Sequence, residues 1–376
     1  MLITMLPIAP KKHAAFATLL SPFVADLASK YSGFPLTVAN NLTGLKAARQ
    51  SDGTDISGWY GEKLRRLGIS RFSRWAETEH GYQDFFDRAM SQWAQSGNIY
   101  EAEVEVASCG CGVVFLLAEY LVSVRESKLF RSEAGHQVCL LCSSRITVRK
   151  SRELFFRSGE KVKGAGLIMP DNFTSEMSEI VEKYIRRSIL ISRPTEKNGF
   201  SFKGTRKFFL DTDFTWSLYL AYLAVLHGDS HIAVSISTRV MESLARCVVV
   251  AQSLHPGLTI DAVVYPVLNP VSSRIAHPSG MSIDDFEQVG NVFARRCYLA
   301  LGLQWGRKDI KADLSELYKA QTCSCADISH ETVGTTGLAG FLSLCNREMT
   351  ISLLAKLRRG ILLGEDERHL RSILEV

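Results

Sequence analysis

The first part of the chain alternates between short apolar runs and a helical pattern. Residues Leu2–Ile8 form an apolar run bounded by prolines, which is typical of a buried parallel strand. From Phe16 to Tyr31 large apolar side chains recur every three or four residues, the period of an amphipathic helix. Gly33 follows where a glycine ends such a helix, and Phe34–Ala39 predicts a second strand. This order predicts a parallel sheet of the nucleotide-binding type, whose ligand site lies at the carboxyl ends of the strands.

The alternation returns in the second half of the chain. Between the two halves, Gly58–Tyr100 has a helical pattern and Ser175–Ile191 predicts an amphipathic helix. The second half contains three predicted strands and two predicted helices: strands Lys207–Leu210, His231–Ile236 and Ala262–Leu268, and helices Trp216–Leu226 and Thr238–Leu254. We therefore expect an α/β fold in which two half-sheets form one Rossmann-like parallel sheet with a module inserted between them.

This pattern divides the chain into four parts. After Ser282 it is helical to the end, apart from a loop at Cys323–Gly340. The predicted parts are the first half of the Rossmann-like domain with its linker helices (1–100), a zinc-binding insertion (101–165), the second half of the domain (166–282) and a C-terminal helical region (283–376).

Four cysteines in the insertion form two close pairs. Cys109 and Cys111 form the first pair, and 27 intervening residues separate it from Cys139 and Cys142. Two such pairs on tight turns can hold a tetrahedral Zn²⁺ ion at about 2.3 Å per Zn–S bond, and Gly110 suits a sharp turn. The spacing predicts a structural zinc ion held by all four thiolates. The alternative is four unrelated cysteines, because free cysteine is among the most buried residue types.

Composition narrows the class of protein only moderately. The chain has 376 residues, of which 46% are hydrophobic and 22% charged, as in ordinary globular proteins. A net charge of +5 permits a nucleic-acid or nucleotide partner without arguing for one. Nine cysteines and the absence of a signal-peptide pattern predict a reducing cytoplasm. The most apolar run, Trp216–Leu226, is too short to span a bilayer, so no membrane partner is expected.

Several short segments, taken together in their order, carry a family resemblance. They are Leu19-Leu-Ser-Pro-Phe-Val-Ala-Asp-Leu-Ala-Ser-Lys-Tyr31, Leu67-Gly-Ile-Ser70, Gly97-Asn-Ile-Tyr-Glu101, Arg152-Glu-Leu-Phe-Phe-Arg157 and Ser279-Gly-Met-Ser-Ile-Asp284. In this order they resemble class I aminoacyl-tRNA synthetases, and methionyl-tRNA synthetase most. The first resembles the helix after the family's H-x-G-H signature, and the last resembles the end of its K-M-S-K-S loop. The resemblance covers residues 1–300 and implies the family's split parallel sheet with a zinc-knuckle insertion.

The positions that handle ATP in that family differ here. Counting back from Ser21 and Pro22, the H-x-G-H positions read Ala15-Phe16-Ala17-Thr18, so both phosphate-binding imidazoles are absent. The K-M-S-K-S positions read Arg274-Ile-Ala-His277-Pro278. The resemblance makes Thr18, Arg274 and His277 the candidate catalytic residues, as a hydrogen-bond donor and two groups that can stabilise anionic charge. Efficient adenylation by the family's route is not expected, which leaves a role for ATP in doubt.

The amino-acid-binding positions are changed as well. The family's G-T-D-E-H-G segment becomes Ala39-Asn-Asn-Leu-Thr-Gly44, with Asn41 in place of the carboxylate that pairs with the substrate's amino group. His231 retains the histidine of an adenosine-binding H-x-x-G-x-D segment, whose glycine and aspartate are lost. Asp213 matches the aspartate of a W-F-D-A segment, although it can equally cap a helix. These three are the candidate substrate-binding residues.

Three functional hypotheses follow from the resemblance and the departures. The first is a repurposed enzyme of specialised metabolism that binds an amino acid or a derivative and activates it or condenses it with another small molecule. It would not charge tRNA, because the chain is too short after Gly302 for a full helical anticodon-binding domain. The second is a non-catalytic protein that binds an amino acid, tRNA or a protein partner. The third is an ATP-independent enzyme that uses aminoacyl-tRNA, for which Ser21 and Ser235 are candidate nucleophiles without a visible histidine partner. The sequence predicts no oligomeric state.

Overall fold

The structure is a computed structural model. It describes residues 2–5, 19–40, 56–69, 71–76, 80–110, 114–117, 130–133, 135–139, 142–159, 162–193, 208–271, 308–313, 365 and 368. Every structural statement below concerns these residues.

Helices and strands alternate in the two parts of the chain that build the main sheet, whereas strands predominate in the inserted part. The strands are β1 (Leu2–Met5), β2 (Leu36–Asn40), β3 (Ser73–Ala76), β4 (Ile99–Ser108), β5 (Val114–Leu116), β6 (Phe130–Glu133), β7 (His136–Cys139), β8 (Thr147–Phe156), β9 (Ile168–Met169), β10 (Ile189–Leu190), β11 (Ser192–Arg193), β12 (Phe209–Leu210), β13 (His231–Ser237), β14 (Thr259–Tyr265), β15 (Val267–Val271) and β16 (Asp309–Asp313). The helices are α1 (Leu20–Ser32), α2 (Ile56–Arg66), α3 (His80–Gln95), α4 (Thr174–Arg186), α5 (Thr212–His227) and α6 (Met241–Leu254). No described helix has both the length and the apolar character needed to cross a membrane.

A six-stranded parallel sheet forms the centre of the fold. Its strand order is β3-β2-β1-β13-β14-β9, and every neighbouring pair is parallel. Ile3 on β1 pairs with Leu36 on β2 and with Ala233 on β13, so strands from the two ends of a long insertion lie side by side. This arrangement confirms the predicted parallel sheet built from two halves.

The two halves of the sheet run outward from its middle. The chain passes from β1 through α1 to β2 in one direction, and from β13 through α6 to β14 in the other. Because such crossovers are right-handed, α1 and α6 cover opposite faces of the sheet. Covered faces explain why residues on both faces of β13 and β14 are buried: Ile232, Val234, Ile260 and Ala262 on one face, and Ala233 and Val263 on the other.

Helix α1 ends as its sequence predicts. Gly33 caps it in the left-handed conformation at φ 71°, and its N–H donates to the carbonyl oxygen of Ser29 at 2.9 Å. A glycine adopts this conformation without steric strain, so the chain can turn into β2.

The inserted part contains a four-stranded antiparallel sheet of order β10-β8-β4-β5 and a separate β6-β7 hairpin. Strands β4 and β8 pair over ten residues each, from Ile99 opposite Phe156 to Ser108 opposite Thr147. The base of this pair packs into the main core, where the Trp93 ring lies 4.8 Å from that of Phe156, edge to face. The insertion therefore shares its hydrophobic base with the parallel sheet.

Four expectations from the pattern are wrong in detail. The stretch expected to be helical, Gly58–Tyr100, contains strand β3, which includes Trp75. This edge strand is too short to show the alternation of apolar and polar residues that is typical of a strand. The helix expected over Ser175–Ile191 ends at Arg186, and β10 follows. Lys207–Leu210 does contribute a strand, but β12 pairs antiparallel with β11 outside the main sheet. The run expected over Ala262–Leu268 is two strands, β14 and β15.

The predicted C-terminal helical region lies almost entirely outside the described residues. One short part of it is a strand: β16 pairs in parallel with β15, from Val267 opposite Asp309 to Val271 opposite Asp313. A five-residue strand at this position corrects the expectation of uninterrupted helix from Ser282 to the loop at Cys323.

Two buried polar side chains hold the segment that leads into β9. The amide of Gln252 accepts hydrogen bonds from the N–H groups of Lys163 and Gly164 and donates to the carbonyl oxygens of Gly164 and Leu258. The carboxylate of Asp261 accepts the Leu167 N–H at 2.7 Å. A buried polar group is stable only when it is paired, so these contacts fix the path of the chain back into the sheet.

Gly166 shows how tightly this segment packs. A Cβ atom there would lie 2.2 Å from Oδ1 of Asp261, 2.8 Å from Cγ2 of Thr259 and 3.2 Å from the carbonyl oxygen of Ile260. The aspartate cannot move away without breaking its own hydrogen bonds. We predict that Gly166→Ala lowers the free energy of unfolding by about 1–3 kcal/mol, measured by chemical denaturation.

Gly257→Ala is the matched control, because a Cβ atom there meets only side-chain atoms of His255 at 3.7 Å. We expect its effect to stay within about 0.5 kcal/mol. Equal effects of the two substitutions would show that the close approach at Gly166 does not exist in solution.

Candidate functional site

The order of the central sheet reverses between β1 and β13. In open parallel α/β sheets, ligands bind at such a switch point, in the crevice outside the carboxyl ends of the strands. Strand β1 ends at Met5, which pairs with Ser235, and β13 ends at Ser237, which pairs with Tyr265 on β14. Three polar side chains therefore stand at or near the carboxyl ends of neighbouring strands.

Helix α1 brings a fourth polar group to the same place. Ser21, in its first turn, donates through Oγ to the carbonyl oxygen of Ser235 at 3.0 Å, and Ser235 Oγ donates to the carbonyl oxygen of Ser21 at 2.9 Å. The two hydroxyl oxygens are 3.5 Å apart, and both side chains are buried. This reciprocal pair joins residues 214 positions apart and fixes the start of α1 against β13.

Tyr265 completes the group. The side chains of Ser21 and Ser237 lie near enough to its phenol to affect the pKa of that group. Burial raises the pKa of Tyr265 to about 12, although the two serine hydroxyls act in the opposite direction. We call Ser21, Ser235, Ser237 and Tyr265 the hydroxyl cluster.

The chemistry of the hydroxyl cluster is that of neutral donors and acceptors. Each hydroxyl both donates and accepts, and none carries a charge at neutral pH. The cluster can bind polar groups of a ligand, but it supplies no cation or carboxylate. Ser21 and Ser235 hydrogen-bond to each other, and Tyr265 lies near Ser21. None of these described neighbours is a general base that could activate a serine hydroxyl.

Sequence reasoning found part of this cluster. Ser21 and Ser235 were candidates because they lie near strand ends, whereas Tyr265 and Ser237 were missed. A polar residue that closes an apolar strand is a usable signal, and both of these residues fit it.

His231 lies at the opposite end of its strand. It is the first residue of β13, and Ser237 at the carboxyl end is about 20 Å away, at 3.3 Å per residue. Its Nε2 atom is 2.6 Å from Oδ2 of the buried Asp261, which also holds Leu167. This position does not bring His231 to the hydroxyl cluster, and its contacts are those of a residue that supports the fold.

The remaining predicted site residues are described only in part. Asp213 lies in the first turn of α5, so the backbone is helical there and the helix starts earlier than expected. Thr18, Asn41, Arg274 and His277 lie outside the described residues. Asn41 directly follows Asn40, the last residue of β2.

Three of the four predicted metal ligands come together in the insertion. The sulfur atoms of Cys109, Cys139 and Cys142 all lie within 4.8 Å of one another. The edge of a tetrahedral zinc–thiolate site is about 3.8 Å, given Zn–S bonds of about 2.3 Å. The three thiols therefore have the chemistry and the spacing of a metal site. Cys111 lies outside the described residues.

The backbone around these thiols forms a tight turn. Ser143 adopts a left-handed conformation at φ 56°, and its N–H donates to the carbonyl oxygen of Cys139 at 2.9 Å. Ser144 links the two halves of the site, since its Oγ accepts the Gly110 N–H at 2.7 Å and lies 3.0 Å from the sulfur of Cys142. A Cβ atom at Gly110 would come within 3.1 Å of that hydroxyl oxygen, which explains the glycine.

An open groove of about 870 Å³ lies beside β2 and β3, at one edge of the parallel sheet. It is lined by the end of α1 and the starts of β2 and β3, including Lys30, Phe34, Arg71 and Phe72. Lys30 is paired with Asp26 at 3.4 Å. The groove is on the amino-end side of the parallel strands, so it is distinct from the switch point.

No protein-family model matches the sequence, and no curated protein matches it. Solved structures do match. Methionyl-tRNA synthetase of Mycobacterium tuberculosis bound by methionyl-adenylate has a TM-score of 0.65 and 13% identity, over 84% of this chain and 67% of that one. A second complex of that enzyme with methionyl-adenylate has a TM-score of 0.67 and 11% identity, over 100% of this chain and 82% of that one.

The free form of the Mycobacterium tuberculosis enzyme gives the same result. Its TM-score is 0.59 at 13% identity, over 100% of this chain and 79% of that one. At these identities the similarity shows the fold alone. The chain thus has a class I synthetase-like fold, similar to that of methionyl-tRNA synthetase.

Proposed function

We propose that this protein binds an amino acid or an amino acid derivative at the switch point and activates it or condenses it with a second small molecule, without charging tRNA. The observation that carries the proposal is a methionyl-synthetase-like fold whose switch point is formed by the neutral hydroxyl cluster. In this proposal the ancestral amino-acid pocket is kept and the handling of ATP is altered.

The sequence supports the proposal that the handling of ATP is altered. The positions of the two phosphate-binding histidines hold Ala15 and Thr18, and the K-M-S-K-S positions keep a single cation, Arg274. Loss of one preorganised donor costs about 3–4 kcal/mol of transition-state stabilisation, so loss of two imidazoles makes rapid adenylation unfavourable.

The proposal assigns roles to the residues that remain. Arg274, His277 and Thr18 would stabilise the negative charge of an intermediate, because they occupy the family's phosphate-handling positions. Asn41 and Asp213 would position the substrate through hydrogen bonds. His231 receives no substrate role, because it lies at the amino end of its strand and is bonded to Asp261.

A serine nucleophile is less well supported. An enzyme that takes the aminoacyl group from a charged tRNA would need an activated hydroxyl. Ser21 and Ser235 bond to each other's backbone carbonyl oxygens and have no histidine or carboxylate partner in the described part of the chain. A non-catalytic binding protein would share the hydroxyl cluster, and activity measurements separate it from an enzyme.

The zinc ion belongs to the same proposal. Cys109, Cys139 and Cys142 fit a thiolate site by type and spacing, and Cys111 is its proposed fourth ligand. With four protein ligands a zinc ion has no open position for substrate, so its role is to hold the insertion together.

The first prediction concerns amino-acid activation. Purified protein with ATP, radiolabelled pyrophosphate and each standard amino acid should show little exchange of label into ATP, because the phosphate-binding histidines are absent. Calorimetry should nevertheless detect binding of at least one amino acid. Methionyl-tRNA synthetase in the same assay is the positive control. Strong methionine-dependent exchange by this protein would show that the altered signatures still work.

The second prediction concerns the metal. Elemental analysis should find about one equivalent of zinc per chain, and Cys139→Ser or Cys142→Ser should remove it and lower the melting temperature. Cys247→Ala is the control, because Cys247 is buried in α6, far in sequence from the thiol group, and its loss should leave the zinc content unchanged. A zinc content below about half an equivalent in the unaltered protein would exclude the four-thiolate site.

A further inference from the structure

We propose that Ser144 is a positioning residue of the metal site: its hydroxyl ties the turn after Cys109 to the loop of Cys142 and donates a hydrogen bond to the Cys142 sulfur. Ser144 is not itself a ligand of the metal. The inference rests on the metal site in the proposed function and does not depend on the chemistry at the switch point. It adds to the cysteines a residue that their spacing does not reveal.

The backbone fixes the position of Ser144. Its carbonyl oxygen accepts the N–H of Cys139 at 3.0 Å. Two residues further on, the N–H of Ile146 donates to the carbonyl oxygen of Gln137 at 2.9 Å. These bonds hold the chain after the cysteine loop against β7. The Ser144 side chain therefore starts from a backbone position that is set by main-chain hydrogen bonds and not by a metal.

The hydroxyl of Ser144 connects two separate parts of the site. Its Oγ atom accepts the Gly110 N–H at 2.7 Å and lies 3.0 Å from the sulfur of Cys142. Gly110 directly follows Cys109 and is 34 positions away from Ser144 along the chain. One oxygen atom thus joins the turn that carries the first ligand to the loop that carries the others, which helps to keep the three sulfur atoms within 4.8 Å of one another.

The direction of these hydrogen bonds follows from the groups involved. A backbone N–H only donates, so the Ser144 oxygen accepts from Gly110 and keeps its own O–H for Cys142. A cysteine that binds a metal does so as a thiolate, which accepts hydrogen bonds. The arrangement therefore suits the metal-bound state without any rearrangement of the hydroxyl.

This hydrogen bond also has an electrostatic role. Four thiolates around one Zn²⁺ ion carry an excess of negative charge, and a donor to one of the sulfur atoms reduces it. Hydrogen bonds of this kind orient the ligands and tune the metal, and their removal typically lowers metal affinity about 10- to 100-fold. Ser144 is then expected to raise the affinity of the site for its metal.

The decisive variant is Ser144→Ala, which removes the hydroxyl and keeps the carbonyl oxygen that accepts the Cys139 N–H. Competition with a chelator of known affinity should show that the variant binds zinc about tenfold more weakly than the unaltered protein. Its circular dichroism should be unchanged. Ser132→Ala is the matched control, because Ser132 is an exposed serine on β6 of the same insertion, and its zinc affinity should stay within about twofold.

Cobalt supplies a readout that a merely structural role would not change. With Co²⁺ in the site, thiolates give a charge-transfer absorption from sulfur to metal. A sulfur atom that has lost a hydrogen bond gives up its electrons more easily, so this band should move to longer wavelength in Ser144→Ala. In Ser132→Ala the band should stay in place.

Each result decides between the inference and its competitors. Equal zinc affinity of Ser144→Ala and the unaltered protein would overturn the inference and leave the metal site intact. Weaker binding with an unshifted cobalt band would also overturn it, because Ser144 would then support the turn without a bond to Cys142. Unfolding of the variant would contradict it as well, since the hydroxyl would be needed for the fold itself. If the unaltered protein binds neither zinc nor cobalt, the proposed metal site fails and the inference falls with it.

Discussion

The pairing of β1 with β13 is the interaction on which the rest of the structure depends. It aligns Leu2–Met5 with Ile232–Ser235 and so closes one sheet from two parts of the chain that lie more than two hundred residues apart. Bringing such distant segments together is entropically unfavourable, and buried apolar side chains on both faces of the sheet offset it. Without this pairing there is no switch point, and Ser21 does not meet Ser235.

The hydroxyl cluster at this site consists of neutral groups, and it binds polar groups of a ligand by hydrogen bonds rather than by charge. A hydroxyl network gives little to an ion that has lost its hydration. In the proposed function, the stabilisation of negative charge is therefore assigned to Arg274 and His277 and not to the hydroxyl cluster.

The insertion is joined to this site through the core and through buried polar contacts. Its long strands end in the same hydrophobic cluster as the helices around the parallel sheet. At that junction Ser192 Oγ accepts the Leu154 N–H at 2.8 Å and donates to the buried carboxylate of Glu153 at 2.6 Å. The thiol group lies at the far end of these strands, next to Ser108. A metal there would hold the tip of the insertion while the core holds its base.

The sequence by itself determined the local features: the end of α1 at Gly33, the apolar strands β13 and β14, and the close thiol pairs at Cys109 and Cys139. These depend on spacing, on glycine conformation and on the burial of both faces of a sheet, which a short window reveals. The tertiary structure alone decided which residues meet. It placed His231 with Asp261 at the amino ends of the strands, and Ser21 with Ser235 near the carboxyl ends. Contacts between distant residues depend on strand order and on the direction in which each strand runs, and neither is visible in local periodicity.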